Sequence, residues 1–435
     1  MKPGQVGVFS AMALVVANMV GTGVFTSLGY QLEAIPSAFP ILLLWAVGGV
    51  LSLCGALCYA ELVTMMPRSG GEYHLLREAY HPLVGFLGGW VSMVAGFAAP
   101  IALAAMAFAG YMEALGLQAD PRWIAALPVI GAAVALLGRT EWVGHLLGGL
   151  TILKVALITI CIVGAIGWAS GPATSLRPVA GDLERITSAG FATSLVYVMY
   201  AYTGWNGAAY VASELKHPQR TVPWALLGGT LLVMLLYLGL NAAFLARAPW
   251  GELKAQPQVA MAAAQAIFGQ SGGRWMSGLI AFGLLSMITG LTWAGSRVIQ
   301  RMGQDWSRLR WLAQGNRWQA PSHAVLLQLG IALVLIITGT FDQVLNYVEA
   351  LLLLSSLLAV FAVVWLRWRR PTAARPFRVP LYPLPPLLFS AATCYMLFHL
   401  LHQRPAELLW GAATLILGLA LYLAVAYRGS AKPAP

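Results

Sequence analysis

Long apolar runs alternate with short polar ones along the whole chain. The runs fall at about 6–30, 39–66, 83–115, 122–138, 144–169, 188–213, 223–246, 275–302, 322–340, 343–367, 381–402 and 406–427. Most hold roughly 17 to 30 residues, enough to cross a bilayer core as a helix rising about 1.5 Å per residue. A β-barrel would show short alternating segments instead. The pattern predicts an all-α integral membrane protein with twelve transmembrane helices. The longest gaps, 170–187, 247–274 and 303–321, leave no room for a soluble domain, so residues 1–435 read as one unit. The first run lacks a convincing cleavage site and reads as a span rather than a leader.

Two of the runs are interrupted by small polar residues near their middles. Span 1 carries Val20-Gly21-Thr22-Gly23-Val24, and span 6 carries Tyr202-Thr203-Gly204-Trp205-Asn206-Gly207. Glycine is unfavourable inside a helix because its backbone is the freest. Matched interruptions in spans 1 and 6 fit a five-plus-five inverted repeat: 6–169, then 188–367, with 381–427 appended. Such pairs point to a binding site. An unwound helix bares N–H groups at the start of its second half and C=O groups at the end of its first. The former attract an anion and the latter a cation. Two breaks side by side suit a zwitterion. Its carboxylate would sit on the amides of Thr22, Gly23 and Val24, and its ammonium on carbonyls near Met19, Tyr200, Ala201 and Thr203. Close helix packing explains single glycine pairs better; Gly48-Gly49, Gly88-Gly89 and Gly148-Gly149 read that way.

Charge supports the span count. With the N-terminus inside, the cytoplasmic side holds Lys2, Arg68, Arg77, Arg139, Lys216, Arg220, Arg297, Arg301, Arg308, Arg310, Arg317, Arg367, Arg369, Arg370, Arg375, Arg378, Arg428 and Lys432. The outside holds Arg122, Arg177, Arg185, Arg247, Lys254, Arg274 and Arg404. Lys and Arg are thus split 18 to 7, with Lys154 within a span, as the positive-inside rule requires for both termini in the cytoplasm. The net charge of +11 therefore reads as topology and contact with anionic lipid, not as a nucleic-acid surface. Composition agrees: 59% of residues are apolar, 9% are charged and the mean hydropathy is +0.74, against roughly 25% charged in soluble domains. The cysteines, Cys54, Cys58, Cys161 and Cys394, lie in apolar runs and form no disulfide framework or metal cluster.

Several segments resemble the amino acid–polyamine–organocation superfamily, most closely its L-type amino-acid transporter branch. Gly21-Thr22-Gly23-Val24-Phe25 resembles that family's first-helix break. Tyr59-Ala60-Glu61-Leu62 and Pro67-Arg68-Ser69-Gly70-Gly71-Glu72-Tyr73 resemble its first cytoplasmic loop. Ala201-Tyr202-Thr203-Gly204-Trp205-Asn206 resembles its sixth helix, and Glu214 through Pro223 the segment after it. Trp365-Leu366-Arg367 through Arg375-Pro376-Phe377-Arg378-Val379-Pro380 resembles the loop after helix 10. The resemblance implies a LeuT-like fold and alternating access. It implies substrate contacts at Met19, Thr22, Gly23, Tyr200 and Thr203, with Tyr200 as an aromatic lid and Asn206 affecting substrate handling; the rest of the two breaks, Val20, Gly21, Val24, Ala201 and Gly204, completes the expected substrate-binding set. Heteromeric animal relatives carry a cysteine in the external loop between helices 3 and 4. Here Gly116-Leu117-Gln118-Ala119-Asp120-Pro121 has none, so no disulfide-linked heavy subunit is expected; the chain would act as a monomer or homodimer.

Charges inside spans mark function by default, because each costs at least about 2.5–3.5 kcal/mol at mid-membrane. Lys154 lies near the middle of span 5. By resemblance it matches the lysine that fills the sodium site of sodium-coupled cousins, which implies sodium-independent transport. Proton carriage and a static tie to spans 1 and 8 both remain open for it. Glu349 lies seven residues past Asp342 in span 10, about 10 Å along a helix. It either faces the outer vestibule, binding a proton or a cationic group, or reaches the outer interface, the simpler reading. Glu61 is expected to pair with loop arginines, and 69–82 to lie along the inner surface beside helix 8.

These features converge on an amino-acid carrier, exchanger or proton-linked symporter, in the cytoplasmic membrane. Aromatic density near the breaks favours neutral L-amino acids. An amine, polyamine or cationic amino-acid carrier would want a carboxylate in the site, and Glu349 is the nearby candidate. A non-transporting sensor or channel is a third reading, weakened by the lack of a signalling domain. No enzyme is indicated. His74, His81, His217 and His323 fall in cytoplasmic segments without metal-ligand spacing, and no cofactor is expected.

Overall fold

A computed structural model describes residues 6–138, 141–167, 174–256, 258–316, 318, 320–403 and 405–426, with the backbone alone for 141–147, 407 and 408. Lys2, Arg139, Arg317, Arg404, Arg428 and Lys432, used in the charge count, lie outside the described residues, as do Trp168, Ala169 and Tyr427 at span ends. The regular structure among the described residues is helical apart from an isolated bridge between Val6 and Leu215. Its helices are α1 (Val8–Met19), α2 (Gly23–Ala34), α3 (Ala38–Met65), α4 (Gly71–Ala79) and α5 (Pro82–Ala114). Next come α6 (Pro121–Leu137), α7 (Glu141–Gly167), α8 (Ala189–Tyr202), α9 (Pro218–Arg247) and α10 (Val259–Asp305). The last are α11 (Ser322–Thr338), α12 (Phe341–Arg369), α13 (Leu384–Gln403) and α14 (Pro405–Ala426). Among the described residues nine helices, counting α1 and α2 together as Val8–Ala34, are long and apolar enough to cross a membrane, and α6 and α11 are shorter apolar helices.

Local chemistry sets several boundaries. Asp120 caps α6 by accepting from the Arg122 amide, with Pro121 in the first turn. Ser188 caps α8 through the Phe191 amide. Thr340 and Gln343 form a reciprocal capping box at the start of α12. Helix also fills parts of the expected gaps: Asp182–Ile186, Trp250–Leu253, the first turns of α10, and a 3-10 segment Ser307–Ala313. Gly269, at φ 74°, breaks α10 into a short first piece and the long span. Within α5, Ser92–Ala98 is a π-helical turn.

Burial grades from the centre outward. In the span Pro82–Ala114, 72% of the apolar window is buried, against 17% in Leu409–Ala426. Hydrophobic transfer does not drive helices together where lipid is as apolar as leucine, so close backbone approach through small residues carries the packing. A Cβ on Gly48 would lie 2.4 Å from Val198, one on Gly49 2.5 Å from Met234, and one on Gly88 2.7 Å from Leu76. Gly148 and Gly149 correct the packing expectation, since nothing lies within 4 Å of a Cβ at either.

Candidate functional site

The helix interrupted first stops at Met19, because Val20 turns out of helical geometry at ψ 86°, and resumes at Gly23. The second stops at Tyr202. Thr203 leaves the helix at ψ 139°, and Gly204 follows at φ 104°, a left-handed value that glycine accepts without strain. A 3-10 segment, Gly207–Glu214, continues the path. The breaks touch. A Cβ on Gly23 would lie 2.4 Å from Ala201 Cα, and one on Gly204 2.8 Å from the Asn18 carbonyl. Across the contact the Thr22 and Tyr200 hydroxyls hydrogen-bond at 2.7 Å.

The bared backbone is partly engaged. The Tyr237 hydroxyl on α9 bridges two carbonyls, Met19 at 2.7 Å and Ala201 at 3.2 Å. Tyr200 O accepts from the Thr203 amide at 3.0 Å. These are three of the four carbonyls expected near an ammonium, so they present their remaining lone pairs only. The first amides of α2, including Gly23 and Val24, have no intrahelical acceptor by construction, and the positive end of its dipole lies there. Lys154 on α7, 3% exposed, donates to Val20 O at 3.0 Å.

A cavity of about 70 Å³ opens along both breaks. Met19, Gly21, Thr22, Gly23, Tyr200, Ala201, Thr203, Gly204, Asn206 and Glu349 all line it. Val20, Val24 and Lys154 do not; Val20 and Lys154 instead line a separate, much smaller space of about 10 Å³ on the far side of Gly21. Met287 and Leu291 of α10, Phe97 of α5 and Phe389 of α13 give apolar wall. Glu349 corrects the simpler expectation of a place at the outer interface. It is 1% exposed, and the Thr203 hydroxyl, whose one proton is shared with Met199 O at 3.1 Å, donates to its Oε1 at 3.3 Å.

Glu72 is a site residue the sequence did not single out. It starts α4, yet its carboxylate, 4% exposed as a residue, reaches the cavity. Tyr59 donates to Oε1 at 2.8 Å, Asn206 to Oε1 at 2.5 Å and Tyr210 to Oε2 at 2.6 Å. Gly71 makes this possible, since a Cβ there would overlap the Tyr210 ring at 2.1 Å. The remainder of α4 closes the arginine-rich end of the bundle. Arg77 pairs with Asp305 at 2.9 Å, and the Tyr73 hydroxyl donates to the same carboxylate at 2.9 Å. Beside them burial holds the His74 imidazole below its ordinary value. Farther along, Glu61 takes Arg367 in a two-pronged pair at 2.9 and 2.6 Å, Arg375 at 3.3 Å and the Val379 amide at 2.7 Å. No cluster of three or more His, Cys, Asp or Glu suited to a metal occurs among the described residues.

The family described as amino acid permease matches residues 6–423. The human b(0,+)-type amino acid transporter 1 is 27% identical over 430 residues, covering 96% of this chain and 87% of that protein. The serine/threonine exchanger SteT of Bacillus subtilis is 28% identical over 403 residues, 90% of each. The large neutral amino acids transporter small subunit 2 of Rattus norvegicus is 26% identical over 435 residues, 97% of this chain and 81% of that protein. These relatives are named as transporters, not enzymes.

Proposed function

The chain belongs to the amino acid permease family and is a multi-pass membrane transporter of amino acids; from that premise we propose that it carries neutral L-amino acids by alternating access, without sodium, as an exchanger or a proton-linked symporter. One observation carries the reading: two helix breaks abut along a single buried cavity, which has backbone amides on one side and apolar walls on the other. A zwitterion is the ligand such opposed dipoles fit. The Lys154 ammonium on Val20 O supports sodium independence, because a fixed cation beside the first break both satisfies the backbone there and repels a second cation. The exchanger named among the relatives supports exchange.

The same reading includes twelve spans in a LeuT-like five-plus-five repeat, 6–169 and 188–367, followed by 381–427. Both termini and the arginine-rich end face the cytoplasm of a plasma or inner membrane. The chain works without a disulfide-linked subunit, as a monomer or homodimer. A second reading, a carrier of cationic amino acids or amines, draws on Glu349 in the cavity wall.

Uptake of one labelled amino acid into proteoliposomes tests the proposal, with a competitor panel and with sodium, pH and internal amino acid varied. The expected result is saturable uptake, competed by neutral amino acids and unchanged when choline replaces sodium. Steep sodium dependence would remove the role given to Lys154. Binding without accumulation under any gradient would turn the protein into a sensor.

A further inference from the structure

The carboxylates buried within this bundle are held very differently. Glu61 has two arginines and an amide. Glu72 has two phenols and an amide side chain. Glu349 has, among the described residues, the single hydroxyl of Thr203. Burying an ionised carboxylate with one neutral donor is strongly unfavourable unless a cation joins it. Among the described residues none does. Of the elements around Glu349, α8 offers Tyr200, the segment after its break Tyr210, and α4 Glu72. The other helices turn only uncharged side chains to the cavity, such as Ser92, Phe97, Met287, Leu291 and Phe389, and no Lys, Arg or His lines it among the described residues. The Lys154 ammonium faces the other space, across Gly21.

We propose that Glu349 imposes a charge rule on the cargo: every loaded cavity holds one positive charge beyond the zwitterion, supplied by the side chain of a basic amino acid or by a proton that travels with a neutral one. The rule deepens the transporter reading and rests on it. Position supports it. Thr203 lies in the second break, so a group bonded to it adjoins the ligand rather than the membrane surface. In the proton case the carboxylate takes a proton from water on the loading side and returns it to water on the unloading side. The net transfer is one proton with one neutral amino acid. In the basic case no proton moves. The two cargoes then carry equal charge, so exchanging one for the other is electroneutral yet moves a proton.

That last consequence gives the test. The full chain is reconstituted with lysine and a pH dye inside, and leucine is added outside. Leucine–lysine exchange is expected to acidify the lumen, one proton per exchange, with a rate insensitive to membrane potential. Leucine–leucine exchange should leave the lumen pH unchanged. In Glu349→Gln, which keeps the Thr203 bond and the side-chain volume, leucine binding should persist. Its acidification should vanish, and lysine should compete about 30-fold more weakly, the low end for removing one member of a buried charge pair. Glu349→Asp should restore part of both effects. Wild-type proton movement and lysine competition in Glu349→Gln would overturn the rule while leaving the transporter reading intact. A wild type that binds neither leucine nor lysine would overturn the two together.

Discussion

Gly23→Ala is the sharpest probe of the touching breaks. The added methyl would stand 2.4 Å from Ala201 Cα, 2.7 Å from its Cβ and 3.0 Å from its amide nitrogen. Ordinary contact begins at 3.4 Å, so the two breaks must part by about 1 Å. No flexible side chain can absorb the shift, because the atoms met are the backbone and fixed Cβ of Ala201, and the Tyr237 hydroxyl ties Ala201 O to Met19 O. Overpacking of this kind costs about 1–3 kcal/mol. The loss of unfolded-state freedom offsets about 0.4–1 kcal/mol of that, leaving a net destabilisation of at most about 2.6 kcal/mol. Affinity should fall further, because the amides of α2 and the carbonyls of α8 no longer fit one ligand. Displacements near 1 Å in preorganised sites cost up to about 100-fold. Binding of a labelled amino acid to purified protein, beside a thermal melt, measures both. Gly278→Ala is the control, with nothing within 4 Å of its methyl. Wild-type affinity in Gly23→Ala would refute the idea that the two breaks grip one ligand.

Two further outcomes follow from polar contacts and a third from burial. Tyr200→Phe removes the 2.7 Å bond to Thr22 while keeping the ring; at about 0.5–1.5 kcal/mol for a typical bond, affinity should weaken two- to tenfold, and an unchanged Kd would free Tyr200 from the site. Glu61→Gln strips the carboxylate from Arg367 and Arg375 and should destabilise the fold by about 3 kcal/mol, the low end for breaking a buried pair, since Arg367 is partly exposed; an unchanged melt would count against it. Burial lowers the His74 pKa, so the folded chain binds fewer protons than the unfolded one below about pH 6.5. Stability should therefore be full above that pH and decline on acidification toward pH 5.5, and His74→Gln should flatten this slope in melts across that range.

The breaks were legible because glycine and threonine inside an apolar run contradict both the helix and the lipid around it. Glu61 was legible because a carboxylate at a span end, followed by arginine-rich loops, has one obvious use. Glu72 was not, because nothing in its polar surroundings says that Gly70 and Gly71, at φ 132° and 52°, tuck α4 under the cavity. Glu349 needed the rotation of α12 about its axis, which four following leucines leave undetermined. Gly148 and Gly149 misled for the complementary reason: a small residue permits close approach without requiring a neighbour. The helical turns in 247–274 escaped a reading that sought only membrane-length runs.

The π-helical turn at Ser92–Ala98 puts a surplus residue into the rod that contributes Ser92, Gly96 and Phe97 to the cavity wall. A wide turn of this kind is slack stored in a single coil. Handing the surplus along the coil would spin each side chain it passes about 100° round the axis without shifting either end of the helix. The chamber can thus be re-profiled from within, independently of any rocking of the bundle.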